Sequence, residues 1–109
     1  MEIAEQRIGG ALVLRPAGRL DGASAPAFEK TVLERLDAKP ARLVLDLAGV
    51  EYVSSAGLRT VLLAAKRAKS VGSALAVCNL RDPIREVFDL SGFANVVTIR
   101  ASLDEALKS

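Results

Sequence analysis

The sequence predicts an α/β fold: a mixed, mostly parallel sheet of about five strands with about four helices, in the order β-β-α-β-α-β-α-β-α. Three observations carry this prediction. Short apolar runs rich in Val, Leu and Ile alternate with longer segments whose apolar residues recur at helical spacing. A Gly9-Gly10 pair between the first two runs marks a hairpin, which makes that pair antiparallel. After it, strands and helices alternate strictly, and strands joined by helical crossovers lie parallel.

Each element has its own signal. Glu2 to Arg7 forms a first short strand, and Ala11 to Pro16 returns as the second. Gly18-Arg19-Leu20-Asp21-Gly22 breaks the strand pattern. A helix then opens near Ser24 to Pro26, since proline fits the first helical turn, and Phe28, Val32, Leu33 and Leu36 share one face of it. Lys39-Pro40 stops it, because a residue before proline disfavours the helical region. Arg42 to Leu47 is apolar enough for a strand covered on both faces.

After a short loop, a helix runs from about Ser55 to Val71 with Leu58, Val61, Leu62 and Ala65 inward and Gly72 as its stop. Ala74 to Cys78 is a buried strand. Asp82-Pro83 supplies an N-cap and first-turn pair for a helix that buries Ile84, Val87 and Phe88 and ends at Gly92. Val96 to Ile99 is the last strand, and Ser102-Leu103-Asp104-Glu105 is a capping-box signature for a short final helix.

A chain of 109 residues with no repeat, linker or low-complexity tract reads as one domain over 1–109, with room for one core. Half the residues are hydrophobic but only 4% are aromatic, so Leu, Val, Ile and Ala must fill that core. No run of about 18 apolar residues provides a membrane span. The opening Met1-Glu2-Ile3-Ala4-Glu5 lacks signal-peptide character, and a single cysteine forms no internal disulfide; the expected location is the cytoplasm. A net charge of +2 with scattered basic residues, one Tyr and three Phe argues against direct nucleic-acid binding. The Lys66, Arg67 and Lys69 group fits a solvated helix end.

The most informative stretch is Leu43 to Arg59, a buried strand, a loop and two serines opening a helix. A helix start presents unpaired N–H groups and the positive end of the macrodipole, which favour an anionic group. Ser55 is therefore well placed to carry a phosphate. The bland alternative is capping, worth about 1 kcal/mol for one serine. Two serines in tandem allow both, with Ser54 as cap and Ser55 as acceptor.

This stretch resembles the switch segment of the STAS domains, the family of the anti-sigma factor antagonists, in which a strand ends in Asp-Leu and leads to Asp-Ser-Ser-Gly-Leu. Gly18-Arg19-Leu20-Asp21 resembles the family's Gly-x-Leu-Asp turn, and Arg81 to Ile84 with Phe88 to Gly92 resembles a later helix and its turn. The resemblance covers nearly the whole chain. It implies that Ser55 is the phosphorylated position, with Ser54 (where the family usually has Asp) as the alternative acceptor and Ala56 in place of the second serine. It further implies a partner-binding surface of Asp21, Ser54, Ser55, Gly57 and Arg59. Asp21 has a second reading, an Asx-type turn bond. For Gly57 the readings are a tolerated glycine or close approach of a partner backbone. Arg59 is a solvated or rim residue, and Asp46 bonds loop backbone at a strand end.

The function implied is that of an anti-sigma factor antagonist. Its unphosphorylated form binds an anti-sigma factor that is also a serine kinase, freeing a sigma factor; phosphorylation at Ser55 reverses this and a serine phosphatase restores it. The alternative within the resemblance is a STAS subunit or docking module of a lipid-transport or signalling assembly. An enzyme is not expected. Ser55 as nucleophile needs a base, and the chain has no histidine. Lys66 lies roughly 16 Å along the helix at 1.5 Å per residue. Cys78 has no Cys or His companion for a metal site, and no cofactor is implied.

Overall fold

A computed structural model describes residues 1–108. The strands are β1 (Glu2–Ile8), β2 (Ala11–Leu20), β3 (Arg42–Asp46), β4 (Val50–Val53), β5 (Ala74–Cys78) and β6 (Thr98–Arg100). The helices are α1 (Ala25–Asp37), α2 (Ser55–Val71), α3 (Asp82–Leu90) and α4 (Leu103–Leu107), with a 3-10 turn at Phe93–Asn95. The sheet runs β1-β2-β3-β5-β6, antiparallel at β1–β2 and parallel elsewhere. The predicted α/β class and the hairpin are both present. The sheet has six strands where about five are expected.

The sixth, β4, falls in what the sequence presents as a loop. Its four residues read buried, exposed, exposed, buried, which is not the alternation that betrays a strand. It exists because β2 does not stop at Pro16. A bulge between Gly18 and Arg19 carries β2 on to Leu20, where Gly18, Arg19 and Leu20 pair with β4. Gly18 has φ +106, a conformation that side chains rarely adopt, and its N–H donates to the Gly49 carbonyl at 2.9 Å. The Gly18–Gly22 break is thus a redirected strand end.

The crossovers β2-α1-β3, β4-α2-β5 and β5-α3-β6 all advance in one direction, so right-handed connections put α1, α2 and α3 on the same face. There Leu12, Leu14, Leu43, Leu45 and Val77 of the sheet meet Phe28, Val32 and Leu36 of α1, Val61 and Ala64 of α2, and Ile84 and Phe88 of α3. Each large side chain buried there contributes roughly 1.5–3 kcal/mol. The alternate strand residues Val13, Val44, Ala76 and Cys78 point to the other face, where Ala106 of α4 covers them. The α4 cap forms as its sequence predicts, with Ser102 Oγ accepting from the Glu105 N–H at 3.2 Å. At α3 the cap position is Arg81 with no side-chain bond, so Asp82 is the first helical residue and not the cap.

Candidate functional site

The parallel ends of β2 and β4 set the site. Leu20 and Val53 are paired, and the next N–H, that of Ser54, donates to the Leu20 carbonyl at 2.9 Å. This fixes where α2 begins. Ser54 is extended (φ −91, ψ 177) and its Oγ accepts from the Gly57 N–H at 3.4 Å, while its carbonyl accepts from the Leu58 N–H at 2.9 Å. Ser54 is the cap. Ser55 is the first helical residue and is exposed; among the described residues nothing bonds its hydroxyl.

The Asp21 turn lies against this helix start. Asp21 Oδ1 accepts from the N–H groups of Ala23 at 3.1 Å and Ser24 at 3.2 Å, which is the Asx-type turn. Ser24 Oγ in turn accepts from the Asp21 N–H and donates to the Arg19 carbonyl at 2.6 Å, so Ser24 serves the turn and not α1 as a side-chain cap. The Ser24 N–H above all, opposed by some desolvation and helped by Ala23 and Arg19, holds the Asp21 carboxyl below its ordinary pKa. Arg19 Nε stands 3.6 Å from Asp21 Oδ2, and its guanidinium lies 4.2 Å over the Tyr52 ring. Tyr52 is 42% exposed.

Gly57 packs inward. It is buried, and a Cβ there would stand 2.7 Å from both Leu20 Cγ and the Leu20 carbonyl oxygen. The close approach that needs glycine is to the chain's own β2. Arg59 is exposed and lines a groove of about 290 Å³ with Gly22, Pro26, Glu29 and Ala56. The structure therefore brings Asp21, Ser54, Ser55 and Arg59 to one end of the sheet, with Gly57 beneath them.

Sequence reasoning missed Arg19 and Tyr52. Arg19 sits inside the Gly-x-Leu-Asp string as its variable residue, and Tyr52 sits in the unrecognised β4; their contact depends on the β2–β4 pairing, which no local sequence signal discloses.

Asp46 has the structural role expected of it. Its Oδ1 accepts from the Ala48 N–H and from Asn79 Nδ2, each at 3.1 Å, and its Oδ2 meets Arg15 Nε at 3.3 Å. Cys78, under α4, is pushed up to about 12 by burial and then by the Asp46 carboxylate, against the opposing charge of Arg15. Among the described residues, no group of three or more His, Cys, Asp or Glu side chains is placed to hold a metal ion, and no helix is long and apolar enough to cross a membrane. What stands at the strand ends, beside the Arg59 groove, is the exposed hydroxyl of Ser55.

That architecture defines a STAS domain. Residues 2–106 match the STAS domain family, and the chain belongs to it. The chain is 37% identical over 106 residues to a Bordetella bronchiseptica protein named "Putative anti-sigma factor antagonist BtrV", covering 97% of this chain and 91% of that one. The crystal structure of an anti-sigma factor antagonist from Mycobacterium paratuberculosis superposes with a TM-score of 0.86 at 27% identity, over 98% of this chain and 91% of that one. The Bacillus cell fate determinant SpoIIAA in its phosphorylated form shares the fold, with a TM-score of 0.74 at 17% identity over 98% and 97% of the two chains.

Proposed function

We propose that this protein is a phosphorylation-switched anti-sigma factor antagonist whose acceptor is Ser55. The observation that carries the reading is the division of labour at the start of α2: Ser54 occupies the cap, which leaves the exposed Ser55 hydroxyl unbonded at the positive end of a 17-residue helix. The unphosphorylated surface of Asp21, Ser54, Ser55 and Arg59 binds an anti-sigma factor that is also an ATP-dependent serine kinase, and a sigma factor is freed. Modification of Ser55 weakens that complex and a serine phosphatase restores it. ATP and magnesium belong to the kinase; the antagonist acts by binding, in the cytoplasm, and catalyses nothing.

Intact mass after incubation with the cognate kinase and ATP, followed by site mapping, tests the acceptor. One phosphate on Ser55, lost in Ser55→Ala, is the expected result. Phosphate on Ser54 that survives Ser55→Ala refutes the assignment. Titration against the anti-sigma factor tests the surface. Charge reversal at Asp21 or Arg59 should weaken binding at least tenfold, and reversal at Lys66 or Lys108 should do far less. Equal, negligible effects at all four remove the surface, and tight binding to a transporter ATPase instead replaces this reading with that of a transport-assembly subunit.

A further inference from the structure

We infer that Arg59 is the intramolecular counter-charge for a phosphate on Ser55: it holds the phosphate on the chain's own helix and is thereby withdrawn from the partner surface. The inference rests on the proposed modification of Ser55. Ser55 and Arg59 stand four residues apart on α2 and both are exposed. Residues so spaced share a helix face, and helical side chains lean toward the N-terminus, so the Arg59 stem can reach back over the first turn toward Ser55. The polarity is the favourable one, with the anion N-terminal to the cation and lying at the positive end of the macrodipole.

The surroundings leave this pairing open. Among the described residues Arg59 has no ion pair or hydrogen bond through its side chain, and the first turn of α2 contains no acid. Glu29 lines the same groove without pairing to it, and the Asp21 carboxylate is engaged by its own turn and by Arg19. A phosphoserine carries roughly −1.5 to −2 charges near pH 7, and a guanidinium meets phosphate oxygens with two parallel N–H donors. Phosphorylation then changes two features of the docking surface together, since it adds an anion and occupies a cation.

The test is phosphorus NMR titration of the full chain carrying phosphoserine installed at position 55 during synthesis. The phosphoserine's second pKa, ordinarily near 6, should lie about 0.15–0.4 lower in the wild type than in Arg59→Gln. Arg59→Lys should recover part of the difference, and Lys66→Gln, roughly 16 Å along the helix, should show none. Equal pKa values in the wild type and Arg59→Gln overturn the pairing. So does an equal rise in Lys66→Gln, because net charge alone would then account for it. The phosphate is installed without the kinase, so a kinase that ignores Ser55 sinks the proposed function while this titration still decides the pair.

Discussion

One methyl group at Gly57 tests the contact that positions the whole site. In Gly57→Ala the added Cβ would stand 2.7 Å from Leu20 Cγ, 2.7 Å from the Leu20 carbonyl oxygen and 3.1 Å from Val53 Cγ1. Against ordinary contact at 3.4 Å the shortfall is 0.7 Å. Leu20 is fully buried, and its carbonyl already accepts from the Ser54 N–H at 2.9 Å, so neither atom is free to retreat. Overpacking of this kind costs roughly 1–3 kcal/mol. Alanine recovers up to about 1 kcal/mol of helix propensity. The net expectation is a loss of about 1–2 kcal/mol, read as a lower urea midpoint at unchanged slope, with the Tm down by roughly 4–10 °C. Gly22→Ala is the control, because nothing lies within 4 Å of a Cβ there, and it should stay within about 0.5 kcal/mol. A Gly57→Ala protein as stable as the wild type would mean that α2 slides freely on β2, and the steric account of this glycine would be wrong.

Ser54→Ala should lose about 0.5–1 kcal/mol of capping by urea unfolding, at the low end because its bond is long at 3.4 Å, and should remain phosphorylatable. Ser55→Asp should keep its Tm within a few degrees while losing partner affinity; a stability loss that matches the binding loss would refute a surface mechanism. The folded Asp21 carboxyl titrates below its ordinary range, so its contribution is present above about pH 4 and is lost as pH falls through the lowered value. The stability advantage of the wild type over Asp21→Asn, from urea midpoints, should therefore shrink on acidification. The Cys78 thiol is raised in the folded state, so its contribution is complete below the ordinary thiol value of about 8.5 and declines as pH rises toward about 12. Relative to Cys78→Ala the wild type should lose stability over that window, and a thiol reagent should modify the native protein at least about a hundredfold more slowly than the unfolded chain.

The parts of this fold legible in the sequence were those governed by local physics. Gly9-Gly10, Pro26, Gly72 and the Ser102 box act within a few residues of themselves, and the hairpin and the helices they bound lie where expected. The part that escaped depends on distant pairing. β4 is a strand only because the bulge at Gly18 turns the end of β2 toward it, and neither segment alternates in a way that discloses the other. The site followed the same rule. Ser54 as cap was readable from its place before an apolar helix. The purpose of Gly57 was not, since the atoms that forbid a side chain there belong to Leu20, 37 positions earlier by subtraction of their numbers.

These contacts also bear on how the proposed switch at Ser55 would work. The start of α2 is held by the Ser54 N–H on the Leu20 carbonyl, by the Ser54 hydroxyl on the Gly57 N–H, and by the packing of Gly57 against Leu20. None of them uses the Ser55 hydroxyl, and the Asp21 turn closes on Ser24 and Ala23 without it. A phosphate on Ser55 therefore finds no internal bond to break, and the helix dipole favours its charge. The frame stays as it was while the surface gains an anion and, by the pairing inferred above, has its Arg59 cation occupied. On the proposed reading, a partner at this end of the sheet meets the same backbone frame with a different charge, so the switch acts by electrostatics and fit and needs no unfolding.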